Sequence, residues 1–395
     1  MVLSHRHWEG KNLSLIFANR NSMYQAPSKS SQMSSVGAVQ PTVVVSAVAL
    51  NAPAVPDVKK PARISALDFT KGALVLIMVL YHWLNYFVAS YGFFYRYLRF
   101  LTPSFIFIAG FLISNVYLSR YQVSGTKRPG RLAARGLKIL AVFIVLNVGI
   151  GLLLLNPQTG GRGVFELFTG DGAISIFLVG SNGVPGGAKT AAFYILVPIG
   201  YLFLLSAGLV FIYRFYKYVF HAVCLVFLVS IFSLDLWGIK NGNLELLTMG
   251  LLGVAAGNIS IDKITNLVSH RYAIMVAYLG YLAAVTIWDV LFPLQIVGVC
   301  LTLLLIYLIG TAESKVGPVY ELVVLLGKYS LFGYISQIAI LQFLRRAIPY
   351  LHLESFGLPL SFVLAFVLTI LGVELLDRLR AKSGVTDKLY KAVFA

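Results

Sequence analysis

The sequence predicts an all-α polytopic membrane protein of about ten transmembrane helices, with both termini cytoplasmic. Three observations carry that prediction. Of 395 residues, 58% are hydrophobic and only 12% charged, against about 45–50% and about 25% in soluble domains, and the mean hydropathy is +0.82. Apolar runs of roughly 20 residues, enough to cross a hydrocarbon core about 30 Å thick, recur along nearly the whole chain. Lysines and arginines gather at the ends of those runs, as the positive bias of cytoplasmic loops requires.

Residues 1–60 are rich in Ser, Ala, Val and Pro and show no helical period, so they are expected to form a disordered cytoplasmic tail. Their apolar piece, VGAVQPTVVVSAVAL, is broken by Pro41, too short to span, and too far from the start for a signal peptide. Met23 and Met33 are alternative start positions. A transmembrane domain is expected over residues 61–380. Its ten spans lie near 72–90, 100–118, 137–155, 191–213, 219–236, 244–260, 272–290, 292–310, 320–344 and 359–377. Residues 381–395 are read as a cytoplasmic C-terminal tail.

The basic flanks set the orientation. Lys59, Lys60 and Arg63 precede the first span. Arg120, Lys127, Arg128, Arg131, Arg135 and Lys138, with no acid among them, separate the second from the third. RFYKY, DKITNLVSHR and DRLRAK fall on the same side if the spans alternate. On the other side, residues 156–190 are glycine-rich and hold a short apolar piece, GAISIFLVG. It reads either as a re-entrant segment at a site mouth or as an ordinary external loop. There is no visible internal repeat of the kind many transporters carry.

Several function classes drop out. The net charge of +17 has no basic soluble domain to carry it, so nucleic acid is not an expected partner. Cys224 and Cys300 lie inside apolar runs, which argues against a disulfide framework or a thiolate metal site. LGKYS lacks the spacing of a phosphate loop, and GLLGVAAG is a small-residue packing pattern. No His-Glu-x-x-His or Gly-x-Ser-x-Gly motif is present.

The stretch LDFTKGALVLIMVLYHWLNYF holds the main chemical candidate. His5 and His7 lie in the tail, His221 and His270 flank spans, and His352 is in an external loop; His82 alone lies well within an apolar run. An ionisable group at such depth is a functional-site hypothesis. Desolvation disfavours imidazolium, so His82 is expected to be a neutral general base; the structural alternative is a histidine bonded between helices. Lys71 lies eleven residues earlier, about 16 Å along the axis and roughly on the same face. It suits an anionic donor arriving from the cytoplasm, or it snorkels at the interface. Asp68 can cap the helix and pair with Lys71. Asn85, Ser104 and Asn115 are further polar candidates for a cavity lining. Ser330, Tyr334 and Gln337, spaced four and three apart, share a helix face. Glu374 and Asp289 are single carboxylates near span ends.

LDFTKGALVLIMVLYH resembles the first span of the acyltransferase-3 family, within the transmembrane acyltransferase superfamily. Relatives there include glucan-succinylating membrane proteins and the heparan-α-glucosaminide N-acetyltransferase type. Leu67-Asp68, Lys71-Gly72 and His82 fall where that pattern has Leu-Asp, Arg-Gly and His. SFIFIAGFLIS is similar to the family's second-span run, with Ala109 for the usual Ser. LLGKYSLFGYISQIAIL is similar to its late Leu-Gly-x-x-Ser…Tyr…His segment, with Gln337 where His is common. The resemblance implies transfer of an acyl group from cytoplasmic acyl-CoA, acetyl-CoA being the expected donor, to a hydroxyl or amine of an extracytoplasmic glycan or glycolipid. His82 would be the catalytic base or acyl carrier, with Lys71 and Asp68 near the donor and no metal. Membrane lipid, acyl-CoA and the glycan acceptor are then the expected partners, with room for a homodimer, and the location is a bacterial inner (plasma) membrane. A proton-coupled transporter or flippase titrating at His82, and an inactive relative, are the competing readings.

Overall fold

The computed structural model describes residues 64–88, 92–118, 128–153, 166–181, 191–213, 215–288, 290–311, 317–350 and 356–394. The N-terminal tail with His5, His7, Met23, Met33, Lys59, Lys60 and Arg63 lies outside the described residues, as do Arg120, Lys127, Asp289, His352 and much of the 156–190 loop.

Everything described is helix or short connection, with no strand among the described residues. In order come α1 (Ser65–Trp83), α2 (Tyr95–Leu98), α3 (Leu101–Leu112), α4 (Arg128–Leu153), α5 (Gly170–Ala173), α6 (Leu196–Tyr213), α7 (Val219–Leu236) and α8 (Gly242–Ala256). Then follow α9 (Ile261–Asn266), α10 (Arg271–Ile287), α11 (Phe292–Thr311), α12 (Pro318–Lys328), α13 (Ser330–Tyr350), α14 (Gly357–Lys382) and α15 (Gly384–Phe394). Wider π turns extend α1 over Leu84–Val88, α3 over Ile113–Leu118 and α5 over Ile174–Val179.

Among the described residues, seven helices are long and apolar enough to cross a membrane, and the bent pair α12 and α13 brings the number to eight if it is one broken span rather than a re-entrant loop. The predicted spans at 244–260 and 272–290 correspond to α8 and α10, shorter apolar helices of 15 and 17 residues. The span predicted as one helix over 320–344 is broken: α12 and α13 meet at 92°. Tyr329 leaves helical geometry there (φ −112°, ψ 28°). Its hydroxyl donates to Asp377 Oδ1 at 2.6 Å, which holds the turn against α14. A continuous apolar run carries no mark of such a bend, because both halves bury equally well.

α1 is central and packs on α3, α11, α12, α13 and α14. A second layer pairs α3 with α8 and α4 with α6. Small residues set the α3–α8 distance, as expected of GLLGVAAG: a Cβ on Gly110 would stand 1.9 Å from the Gly250 carbonyl oxygen, and one on Gly253 2.0 Å from that of Phe107. The apolar piece of the 156–190 loop forms α5 and its π turn, too short to span, with Ser175 and Ile176 buried. Its end carbonyls are satisfied by side chains. Asn243 Nδ2 donates to Ile176 O at 2.9 Å, Tyr201 to Phe177 O at 2.9 Å, and Asn241 to Leu178 O at 3.1 Å. This is how irregular backbone survives inside an apolar bundle. The stretch read as a C-terminal tail continues α14 to Lys382 and then forms α15.

Candidate functional site

His82 is the penultimate residue of α1, and its neighbours place it near one end of the bundle. The Tyr81 ring meets Tyr95 of α2 at 5.4 Å. Trp83 Nε1 donates to Ser361 Oγ, in the second turn of α14, at 2.8 Å. His82 faces inward. Its ring centre lies 5.2 Å from Tyr81 and 6.1 Å from Tyr334 on α13, and Tyr334 in turn meets Phe193 edge-on at 5.9 Å. The residue is half-buried by area, but Nε2 is shut off from solvent and has no hydrogen-bond partner. Gln337, one turn beyond Tyr334, is fully buried, and both polar atoms of its amide also lack partners. Buried polar groups left unpaired cost about 1–3 kcal/mol each. Three such atoms, one of them an imidazole nitrogen, thus lie on the packed helices α1 and α13; Ser206, Tyr281 and Thr302 each leave one buried hydroxyl unpaired elsewhere.

Eleven residues earlier, Lys71 Nζ pairs with Asp68 Oδ1 at 2.6 Å, with side-chain exposures of 16% and 6%. The pairing expected from their spacing is present, but Asp68 is not the cap. Ile64 occupies that position with no side-chain cap bond, and Asp68 lies within the first turn. Gly72 has a structural reason of its own. A Cβ there would stand 1.8 Å from the Val323 carbonyl oxygen, and one on Gly327 would stand 1.6 Å from that of Asp68. The two glycines thus let α1 and α12 touch backbone to backbone, each seating the other helix's carbonyl. Gly72 follows Lys71 and Gly327 precedes Lys328, so this clamp joins the first-span pattern to the late Leu-Gly segment.

The remaining candidates separate. Ser330 is half-buried at the start of α13, four residues before Tyr334. Asn85 is exposed: the π turn after Trp83 winds more slowly than an α-helix, so the residue three beyond His82 does not stack above it. Ser104 is buried and returns its hydroxyl to Phe100 O at 2.8 Å. Asn115 donates to Phe111 O and Gly257 O, tying the end of α3 to that of α8. Both serve helix ends rather than the His82 cluster. Glu374 pairs with Arg378 one turn on. Among the described residues no group of three His, Cys, Asp or Glu side chains could hold a metal.

The sequence reading missed several contributors. Tyr81, Tyr95 and the Trp83–Ser361 bond wall the site, and aromatic residues at an apolar helix end gave no distinguishing signal. Phe193 packs on Tyr334 from a left-handed backbone conformation (φ 58°), uncommon for a residue with a side chain. Asn147 holds that turn, donating to Ala192 O and accepting from Ala192 N, each at 2.8 Å.

Two cavities lie at opposite ends of α3. Beside Leu67, Thr70, Phe107, Phe111, Leu303 and Tyr307 there is an apolar one of about 200 Å³, at the Lys71 end of α1. Beside Arg99, Asp235, Lys240, Glu245 and Gln295 there is a polar one of about 60 Å³. Arg99 follows α2 directly, so the polar cavity is at the His82 end.

With this geometry in view, the class is that of a membrane protein with a buried histidine at a helix crossing. The acyltransferase-3 family, described as an acyltransferase domain, matches residues 64–378, and the chain belongs to it. Comparison with curated proteins and with solved structures returned no match.

Proposed function

We propose that the protein transfers an acyl group, with acetyl the expected one, from cytoplasmic acyl-CoA to a hydroxyl or amine of an extracytoplasmic cell-envelope glycan or glycolipid. The bacterial inner membrane, with cytoplasmic termini, is its place in this reading. The observation that carries it is the unpaired Nε2 of His82, buried opposite Tyr334. A neutral imidazole there accepts the acceptor's hydroxyl proton as the oxygen attacks the thioester carbonyl. The C–S bond then breaks, and the CoA sulfur leaves with the proton from the imidazolium. The Gln337 amide supplies an N–H toward the oxygen on which charge develops. It stands where His is common in the family, and its role is positional because an amide neither gives nor takes a proton.

Lys71, steadied by Asp68, fits the donor's anionic end, about 16 Å from His82 along α1. Lysine keeps the charge of the usual arginine but not its two-pronged geometry. The polar cavity beside Arg99 and Glu245 suits a hydroxyl-rich acceptor, since its mixed charges can both donate and accept.

The test replaces His82 by Ala, and separately by Gln, in the native host and weighs the envelope glycans by mass spectrometry. Transfer is expected to fall about 10²–10⁴-fold with insertion and abundance unchanged. Normal acylation in both variants would sink the assignment.

One observation favours a second reading. A broken membrane helix such as α12–α13 is how many transporters build a midplane site, and His82 would then titrate during proton-coupled transport. Proton flux driven by a solute gradient in sealed vesicles, lost in His82→Gln, would select it; CoA release dependent on acceptor selects acyl transfer. An inactive relative, suggested by Lys71 and Gln337, would show neither.

A further inference from the structure

The last helix, α15, has a face that acyl transfer does not use. At about 100° per residue, Thr386, Asp387, Tyr390 and Phe394 fall on one side, and all four are half-buried against the body of the protein. Their anchoring is dense. Arg380, near the end of α14, donates from Nε and Nη2 to Asp387 Oδ1, and from Nη1 to the Tyr329 hydroxyl at 3.1 Å. Its guanidinium stacks 4.0 Å from the Tyr390 ring centre, and Phe394 meets Phe332 edge-on at 6.0 Å. The adjoining face carries Val385, Leu389 and Val393, exposed by 68%, 62% and 41%.

Charge and connection identify what covers that stripe. From Glu374 to the end of the chain there are three acids and five bases, and each acid is engaged. Glu374 pairs with Arg378, Asp377 with Lys328, and Asp387 with Arg380 and Lys391. Lys382 and Lys388 remain, both exposed, and Lys388 stands about 60° around the helix from Val385. Ser383 alone separates α15 from α14, a helix apolar enough to span. A short apolar stripe flanked by lysine, joined to the end of a span, is the pattern of a helix lying in the membrane interface. Lysines at that level attract anionic headgroups.

We infer that α15 lies in the membrane interface and docks on anionic phospholipid headgroups through Lys382 and Lys388, with Val385, Leu389 and Val393 in the acyl boundary. Through Arg380 and Tyr329 the docked helix steadies the elbow from which α13 carries Tyr334 and Gln337. The inference is independent of the reaction assigned to His82.

The test uses the full chain with Cys224→Ala and Cys300→Ala, and a polarity-sensitive dye on Leu389→Cys or, separately, Val385→Cys. The labelled protein is reconstituted in phosphatidylcholine vesicles with and without phosphatidylglycerol. With phosphatidylglycerol, the dye is expected to shift to the blue and to be quenched by a lipid-borne quencher but not by aqueous iodide. Lys382→Gln and Lys388→Gln should each lower the ratio of docked to released helix about fivefold. Iodide access at both positions in the anionic vesicles overturns the interfacial placement. Equal burial in phosphatidylcholine alone overturns headgroup recognition. Protection from both quenchers overturns the lipid in favour of a protein partner.

Discussion

Replacing Gly72 or Gly327 by alanine tests the reciprocal clamp between α1 and α12. The added methyl would sit 1.8 Å or 1.6 Å from a carbonyl oxygen of the facing helix, where ordinary contact begins at 3.4 Å. Closing that gap requires the two backbones to part by about 1.6–1.8 Å, because a carbonyl inside a helix cannot swing aside as a side chain can. Overpacking of a core costs typically about 1–3 kcal/mol, and a backbone obstacle belongs at the upper end, about 3 kcal/mol for each variant. The double variant should cost less than the two singles together, since the second methyl enters space the first has opened. A displacement of this size along α1 also reaches His82, and about 1 Å of misplacement at a reacting centre can cost about 10²-fold in rate.

The assay is equilibrium unfolding in mixed detergent, with acceptor-dependent CoA release measured on the same preparations. Gly208→Ala, in a helix with nothing within 4 Å of its added methyl, is the control and should be neutral or slightly stabilising. Stability within about 0.5 kcal/mol of the parent for both Gly72→Ala and Gly327→Ala would refute the reasoning.

Asn243→Ala should destabilise the protein by about 2–4 kcal/mol, because it strands both the Ile176 carbonyl and the Tyr194 hydroxyl that Asn243 now pairs; detergent unfolding reads the loss. Ser361→Ala removes the acceptor of Trp83 Nε1 and should cost about 1–2 kcal/mol, with Ser361→Thr restoring most of it in the same measurement. Asp387 has a pH signature. Hydrogen bonds from Lys391 and then Arg380 hold its carboxyl below the usual carboxylate range, so docking favours the charged form. That contribution is complete above the unfolded range, about pH 3.9, and is lost as pH falls through the lower folded value. Amide exchange over residues 384–394, corrected for intrinsic rate, should stay slow at neutral pH and rise only in strong acid; release already near pH 6 would contradict it.

Much of this architecture was legible in the residues because lipid imposes simple rules. Hydropathy located the seven long apolar helices, and the depth of His82 singled out a side chain whose Nε2 is buried without a partner. Small residues at Gly110, Gly250 and Gly253 announced a close helix pair. The failures have physical causes too. The break at Tyr329 was invisible because its determinants, Asp377 and Arg380, lie some fifty residues further along the chain. Asn85, a polar candidate for the cavity lining, is exposed, because the π turn after Trp83 changes the angular register there. Ser104 and Asn115 looked like cavity polar groups, but each has a nearer use in capping or bonding its own helix. Phe193 gave no signal, since only the fold shows that its backbone is turned left-handed under Tyr334.

The placement of α1 at the centre has a consequence for how the chain is made. Its principal partners, α11 to α14, are the last spanning elements to leave the ribosome. The bond from Trp83 to Ser361 joins residues 278 apart in sequence, and at about 5–20 residues per second that interval lasts on the order of 14–56 s. During it the first helix waits in the bilayer with its histidine and its Asp68–Lys71 pair, sheltered chiefly by α3. The site is therefore completed only when synthesis is nearly finished, and truncated chains lacking the last helices leave the most polar part of the first one facing lipid.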